Sequence, residues 1–393
     1  MPRTFPVERL PRPSLDARLD PRVCDRAIAL LQKLRHVELS PYVLGSNSNN
    51  LVQAAFATMN VDDFKNQSGG PFILTRARFF TTAAVAASAS GAVFSNISPK
   101  IIDNDQTRVL CKHPTLLPVL VDYADNSAYL DRPHVIAPVG SFSVILEEEN
   151  INATTDVWVA LLGEAVVPAV EKGVSMTASE VREAIGLGIY PAFSSQQAAW
   201  ERREFYPMLL GDEPVCSPEI EEARWDLRAR VAELRLLLSQ ARFQSYSFEG
   251  NADNIPQNAT TSMAGERFRN DSGSPMAITR IRVFTAAAVV ASAAVAVFNN
   301  VAFLFTHGGP NQTLTRTAIL GPCLFTILDN EWVLERPLIL GPDEGINVQV
   351  VEQSVNATTD VYIAMHGEIV RGMSTAELRE CVSLGLYGTW ERG

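Results

Sequence analysis

Phe64-Lys-Asn66-Gln-Ser68-Gly69-Gly-Pro71 and Phe268-Arg-Asn270-Asp-Ser272-Gly273-Ser-Pro275 are one pattern written twice, 204 residues apart. The register continues outward. Thr75, Arg76, Arg78, Phe80 and Thr81 meet Thr279, Arg280, Arg282, Phe284 and Thr285, and the alanine-rich runs that follow end at Val93-Phe94 and Val297-Phe298. The same shift pairs Arg132-Pro133 with Arg336-Pro337, and Asn152-Ala-Thr-Thr-Asp156 with Asn356-Ala-Thr-Thr-Asp360. A single register held over about a hundred residues reads as two copies of one fold.

The flanks repeat as well, at a shift of 197. Asp20-Pro21 and Ser217-Pro218 each put a capping residue before a proline at the first helical position, where its missing N–H costs nothing. Ala27, Leu30, Leu31 and Leu34 then form an apolar stripe, as do Ile220, Leu227, Val231, Leu234 and Leu238. Each stripe is expected to pack on its own domain. At the far end Thr177-Ala-Ser-Glu180 and Ser374-Thr-Ala-Glu377 are capping boxes, and their helices close near Leu187-Gly188 and Leu384-Gly385. The expected division is an extended arm over 1–19, a first unit over 20–190, an ordered aromatic bridge over 191–216 and a second unit over 217–393.

Between the helices the pattern is β. Phe72, Leu74 and Arg76 alternate against Ile73, Thr75 and Ala77, and 276–284 repeats the alternation. Further strands are expected at 93–102, 107–111, 116–123, 134–137, 141–147 and 154–163. The runs 82–91 and 286–296 fit either a buried helical turn or a close-packed connection; we take the long connection. Short strands at turn spacings of about ten residues argue a sandwich or barrel. The expected fold is mainly β: two tandem duplicated jelly-roll sandwiches, each preceded and followed by an α-helix. Asn66, Gly69 and Pro71, with Asn270, Gly273 and Pro275, are expected to form one tight turn into a strand in both copies.

Composition narrows the function. The 393 residues exceed what one core of roughly 250–300 residues supports. With 33 basic against 44 acidic residues the chain carries −11, which disfavours direct nucleic-acid binding. The proline-rich stretch 1–20 holds no apolar run long enough for a signal-peptide core, and 283–305, though uncharged, is too alanine-rich and too broken by Asn299-Asn300 to be expected as a transmembrane segment. Without a signal peptide, Asn152 and Asn356 read as turn residues rather than glycan acceptors.

No catalytic constellation assembles in the sequence. Five cysteines form no CxxC pair and read as reduced, mostly buried residues. The five histidines, His36, His113, His134, His307 and His366, form no pair, and Cys111-Lys-His113 supplies two ligands without a third. No metal or cofactor is expected. Nucleophile-elbow and phosphate-cradling glycine motifs are absent. Glu147-Glu148-Glu149 reads as a solvated strand end, because the second copy has Val351-Glu352-Gln353 there. Arg76 and Arg78, like Arg280 and Arg282, share a strand face and read as ion-pairing groups, subunit contacts among them.

The Phe-x-Asn-x-Ser-Gly-x-Pro segments, the Ile278-Thr279-Arg280 strand, Leu130-Asp-Arg132-Pro133 with Leu334-Glu-Arg336-Pro337, and the closing 360–367 strand together resemble jelly-roll structural proteins of bacteriophage particles. Two such units in one chain are similar in plan to double-jelly-roll major capsid proteins. The resemblance implies a non-enzymatic virion protein that forms or decorates an icosahedral capsid as a homotrimer alongside other virion proteins. Two other classes stay open: a tail, spike or carbohydrate-binding receptor protein, and a metal-dependent bicupin-like enzyme.

Overall fold

Alternation of apolar and polar residues builds the sheets. In the strand Phe142–Glu148, residues 142, 144, 146 and 148 point inward, and in Ile346–Glu352 the matching residues 346, 348, 350 and 352 do the same. The computed structural model describes residues 21–52, 56–83, 97–111, 116–120, 127–148, 154–169, 173–190, 216–256, 259–263, 265–287, 301–308, 312–326, 330–352 and 359–387. The arm, the bridge up to residue 215, most of the two alanine runs, and Asn152, Asn356 and His113 lie outside these residues.

The first half runs α1 (Pro21–Leu34), β1 (Val37–Val52), β2 (Phe56–Thr58), β3 (Phe72–Ala83), β4 (Ile97–Asp103), β5 (Arg108–Cys111), α2 (Leu117–Leu120), β6 (Ser127–Ile136), β7 (Phe142–Glu148), β8 (Thr154–Pro168) and α3 (Ala178–Gly186). The second runs α4 (Pro218–Gln240), β9 (Arg242–Ile255), β10 (Thr260–Ser262), β11 (Met276–Ala287), β12 (Val301–His307), β13 (Gln312–Thr313), β14 (Ile319–Leu320), α5 (Gly321–Leu324), β15 (Glu331–Leu340), β16 (Ile346–Glu352), β17 (Thr359–Arg371) and α6 (Thr375–Ser383).

Among the described residues the sheets of the first half are ordered β1-β8-β3-β6 and β2-β7-β4-β5. Those of the second are β9-β17-β11-β15 and β10-β16-β12-β13, with β14 beside β12. Strand for strand the orders are the same, and they define two tandem jelly rolls. All named strand pairs are antiparallel, and β3 and β11 carry a bulge at the same place, Thr75 and Thr279. The bulged hydroxyls donate back to the Leu162 and His366 carbonyls at 3.0 and 3.4 Å.

The turn motif has one geometry in both barrels. Buried Asn66 donates to the Gly70 and Ala137 carbonyls at 2.8 and 3.0 Å and accepts from Ser68, while Asn270 donates to Ser274 and Gly341 at 2.8 and 3.0 Å and accepts from Ser272. The Pro71 and Pro275 carbonyls accept from Val166 and Val370 at 2.9 and 2.8 Å. Gly69 and Gly273 have φ of +84° and +69° with open space around them, so a β-branched residue there meets backbone strain and no clash. Gly69→Val and Gly273→Val are each expected to lower stability by about 1–3 kcal/mol in urea unfolding. Unchanged midpoints in both would remove the motif's role in folding.

Two expectations about the elements are corrected. The apolar stripes of α1 and α4 do not keep to separate domains. Leu30, Leu31 and Leu34 share one core with Leu227, Val231 and Leu234, with α3 and α6, and with Ile73 and Ala277 at the barrel bases. Gln32 Nε2 donates to the Ala223 carbonyl at 3.0 Å across the two helices. The strand expected over 116–123 contains a helical turn, α2, with Pro118 near its start; its counterpart α5 has Pro322 in the same role. β1 and β9 were not foreseen as strands. The capping boxes form as read: Thr177 and Glu180 exchange bonds of 3.0 and 3.2 Å, and Ser374 and Glu377 bonds of 2.8 and 3.2 Å. Ser217 caps without a side-chain bond, and its N–H instead donates to Asp25 at 2.8 Å.

Candidate functional site

The two barrels meet through the outer face of the first, built by β1, β8 and β3. At its edge β1 forms a short parallel bridge with the second barrel. The Val43 N–H donates to the Leu314 carbonyl at 2.9 Å, and the Val43 carbonyl accepts from the Arg316 N–H at 2.8 Å. The Thr317 hydroxyl donates to the Gly45 carbonyl at 2.7 Å. Val43, Ala160 and Leu162 join the apolar cluster that holds Ile319, Leu324, Phe325 and Trp332, with Phe80 and Trp158 packed against it.

Charged groups ring this apolar centre. Arg78, 1% exposed, donates to the Leu324 carbonyl at 2.6 Å and to Ser127 at 2.9 Å. Arg76 lies 3.8 Å from Glu335 and over the Tyr129 ring, and Thr75 donates to Glu335 at 2.6 Å. Glu164 accepts from Arg336 at 2.7 and 2.8 Å and from the Tyr190 hydroxyl at 2.7 Å. Burial opposes the Arg336 charge, but Glu164 together with Tyr190 and Glu335 outweighs it and raises the guanidinium further; burial together with Glu164 keeps Tyr190 a neutral phenol. Arg76 and Arg78 therefore lie inside the chain, between its barrels, and not on a surface open to another subunit.

The second barrel presents the same face without a cover. Its arginines at the matching positions, Arg280 and Arg282, have side chains 49% and 50% exposed and pair with Glu331 at 3.5 and 3.0 Å. Phe284 is 61% exposed and Tyr362 43%, their rings 6.1 Å apart, and Tyr246 also lies open. An open groove of about 690 Å³ runs between Glu249, Arg267, Arg282, Phe284, Asn330 and Tyr362. Burial, with Arg280 and Arg282 beside it, holds the His366 imidazole below its usual pKa.

Outside the junction, Glu148 and Glu352 correct the reading of a solvated strand end: both are fully buried at matching inward positions. His134, buried, contacts Asp103 at 2.7 Å, while His307 occupies the position matching Asp103 and approaches Glu344 at 3.3 Å. Burial pushes the Cys216 and Cys381 thiols up to about 12. Among the described residues no group of three metal-binding side chains converges, and no helix is long and apolar enough to cross a membrane.

Glu344 joins the barrels near their helical end, accepting from Gly341 N–H at 2.7 Å and from Arg379 at 2.9 Å, with Arg379 also 3.6 Å from Glu38. Burial alone would raise its carboxyl; contact with His307, the Gly341 N–H and Arg379 outweigh it and hold it at about 2. A depressed carboxylate contributes stability above its unfolded pKa, and that contribution is lost as pH falls through the folded value. Stability is expected to fall from about pH 4.5 towards pH 2, with a shallower fall in Glu344→Gln; identical acid limbs in the two proteins would remove this role.

The sequence marked Arg336 and Glu335 only as part of a repeated motif and did not single out Glu164 or the Leu324 carbonyl. A signal existed in the outward positions where the copies differ: Val43 against Ser247, Leu162 against His366, and Trp158 against Tyr362. The first copy is the more apolar because its face is covered.

No protein-family model matches the chain, and no curated protein matches it. Solved structures resemble it loosely. A chain of the Sulfolobus turreted icosahedral virus is 8% identical, covering 89% of this chain and 98% of its own, at a TM-score of 0.23. The VP2 subviral particle of infectious bursal disease virus is 10% identical, covering 87% and 74%, at 0.21. A peptide-N(4)-(N-acetyl-β-D-glucosaminyl) asparagine amidase is 8% identical, covering 84% and 99%, at 0.17. Overlap this loose joins virus proteins to an enzyme, and the functional reading rests on the chain's own geometry.

Proposed function

We propose that this protein is a non-enzymatic structural subunit of a virus particle, a bacteriophage by the motifs it resembles, that forms or decorates an icosahedral capsid as a homotrimer. One observation carries the reading: two jelly rolls of identical strand order are joined face to flank within the chain, and the second barrel exposes the face that the first has buried. A heterologous contact of this kind closes into a ring when its rotation divides a full turn, and otherwise runs on as a filament. Three chains supply six similar lobes, enough to fill a near-hexagonal outline. The buried charges support a structural role, because Glu164, Arg336, Asp103 and His134 are each engaged in a pair inside the fold.

The exposed groove beside Phe284 and Tyr362 also favours a second reading, a carbohydrate-binding spike or receptor protein, since aromatic faces suit sugar rings. Light scattering at micromolar concentration with electron microscopy of the purified protein tests both. Closed shells or a lattice support the capsid subunit, and isolated trimers that bind glycans support the spike. A strictly monomeric mass at every ionic strength removes the structural-subunit reading.

A further inference from the structure

We infer that the uncovered outer face of the second barrel is the seat for the first barrel of a second copy of this chain, through the contacts that already join the two barrels within one chain. The inference rests on the self-assembly reading above and specifies its interface.

The contrast between equivalent strands is the starting point. Residues 40–43 of β1 are buried at every position, whereas 244–247 of β9, their equivalents at the 204 shift, are all exposed. β9 ends its sheet, and its outer edge carries no strand among the described residues. An exposed edge strand with an aromatic residue, Tyr246, beside it invites pairing. The face next to it shows two arginines and two aromatic rings where the first barrel has the same residue classes covered.

The receiving surface has a counterpart as well. Inside the chain, Arg78 ends on the Leu324 carbonyl at the last residue of α5; Leu120 is the last residue of α2 in the first barrel. Arg76 and Thr75 meet Glu335, and Glu164 meets Arg336. At the shift of 204, Glu335 becomes Asp131 and Arg336 becomes Arg132, on β6. By this sequence equivalence Arg280 is matched with an acid, Arg282 with the Leu120 main-chain carbonyl, and Glu368, the equivalent of Glu164, with an arginine. Along the sequence the charge order is complementary at the two charged positions. Until then Glu331, standing where the first barrel has Ser127, holds both arginines. This matched charge order favours a second barrel over a sugar as the occupant.

The bridge supplies the test. Val43 pairs with Thr315 inside the chain, and the equivalent pair between copies is Ser247 with the native Cys111. Bridged strands lie about 4.8 Å apart, within the span a disulfide closes. In the full chain Ser247→Cys, mild oxidation should give covalently linked chains on a non-reducing gel, and Ser247→Cys with Cys111→Ser should not. Separately, Arg280→Glu with Arg282→Glu should weaken association by at least about tenfold, measured below the variant monomer's own melting temperature because both arginines also pair with Glu331 in the monomer; adding Asp131→Arg should restore association without restoring that melting temperature. Oligomers that form at wild-type strength in the double variant, or without the Cys111-dependent link, overturn this interface and leave the structural-subunit reading standing. A wild-type chain that stays monomeric at every concentration overturns both.

Discussion

Arg336→Ala should cost about 3–5 kcal/mol in urea unfolding, the loss found when one partner of a buried ion pair is removed and the other stays behind. Arg336 is 6% exposed, grips Glu164 with one nitrogen shared between both carboxylate oxygens, and donates to the Val382 carbonyl at 3.2 Å. Its guanidinium lies 4.9 Å from the centre of the Tyr190 ring, whose hydroxyl holds the same carboxylate. The residue thus ties β15 and the end of α6 in one barrel to β8 and the end of α3 in the other. Truncating it leaves the buried Glu164 carboxylate without its countercharge, held by the Tyr190 hydroxyl alone. Glu164→Gln with Arg336→Met removes both charges and is expected to lose less than Arg336→Ala alone. A cost below about 1 kcal/mol for Arg336→Ala would show that water reaches the junction and that the pair does not align the barrels.

The second large effect is expected at Leu31. It is fully buried where α1 meets α4, and Leu31→Ala should cost about 2–5 kcal/mol, the transfer free energy plus that of the cavity left behind. Because that core holds residues from both halves, the chain is expected to unfold in a single calorimetric transition, with Leu31→Ala lowering its midpoint. Two separate transitions, only one of them moved by the substitution, would mean that each barrel carries its own helices after all.

Much of this fold was legible because its signals are local or repeated. A capping box needs only a serine or threonine and a glutamate three residues on, so the starts of α3 and α6 read directly from Thr177 and Ser374. Gly188 and Gly385 likewise mark the helix ends, at φ of +71° and +67°. Alternation exposed β3, β7, β8 and their equivalents. β1 was not legible: Gly45-Ser-Asn-Ser-Asn-Asn50 has turn composition, and it is extended because β8 pairs with it along one side and the other barrel bridges it at Val43. Leu116 to Tyr123 looked like a strand because the unbroken apolar run Leu116-Leu-Pro-Val-Leu-Val121 carries no period that separates a strand from a helical turn.

The 204-residue register determined that the chain holds two alike units, since matching turns, bulges and alternation produce matching strands wherever they occur. It could not determine which surface of each unit is inside. Arg76 and Arg280, Arg78 and Arg282, and Phe80 and Phe284 are the same residues on the same strand, yet the first of each pair is covered and the second open. A stripe or a face records that a residue can be buried. Only the tertiary structure, which sets one barrel against the other and leaves the last face without a neighbour in its own chain, decides which residues are.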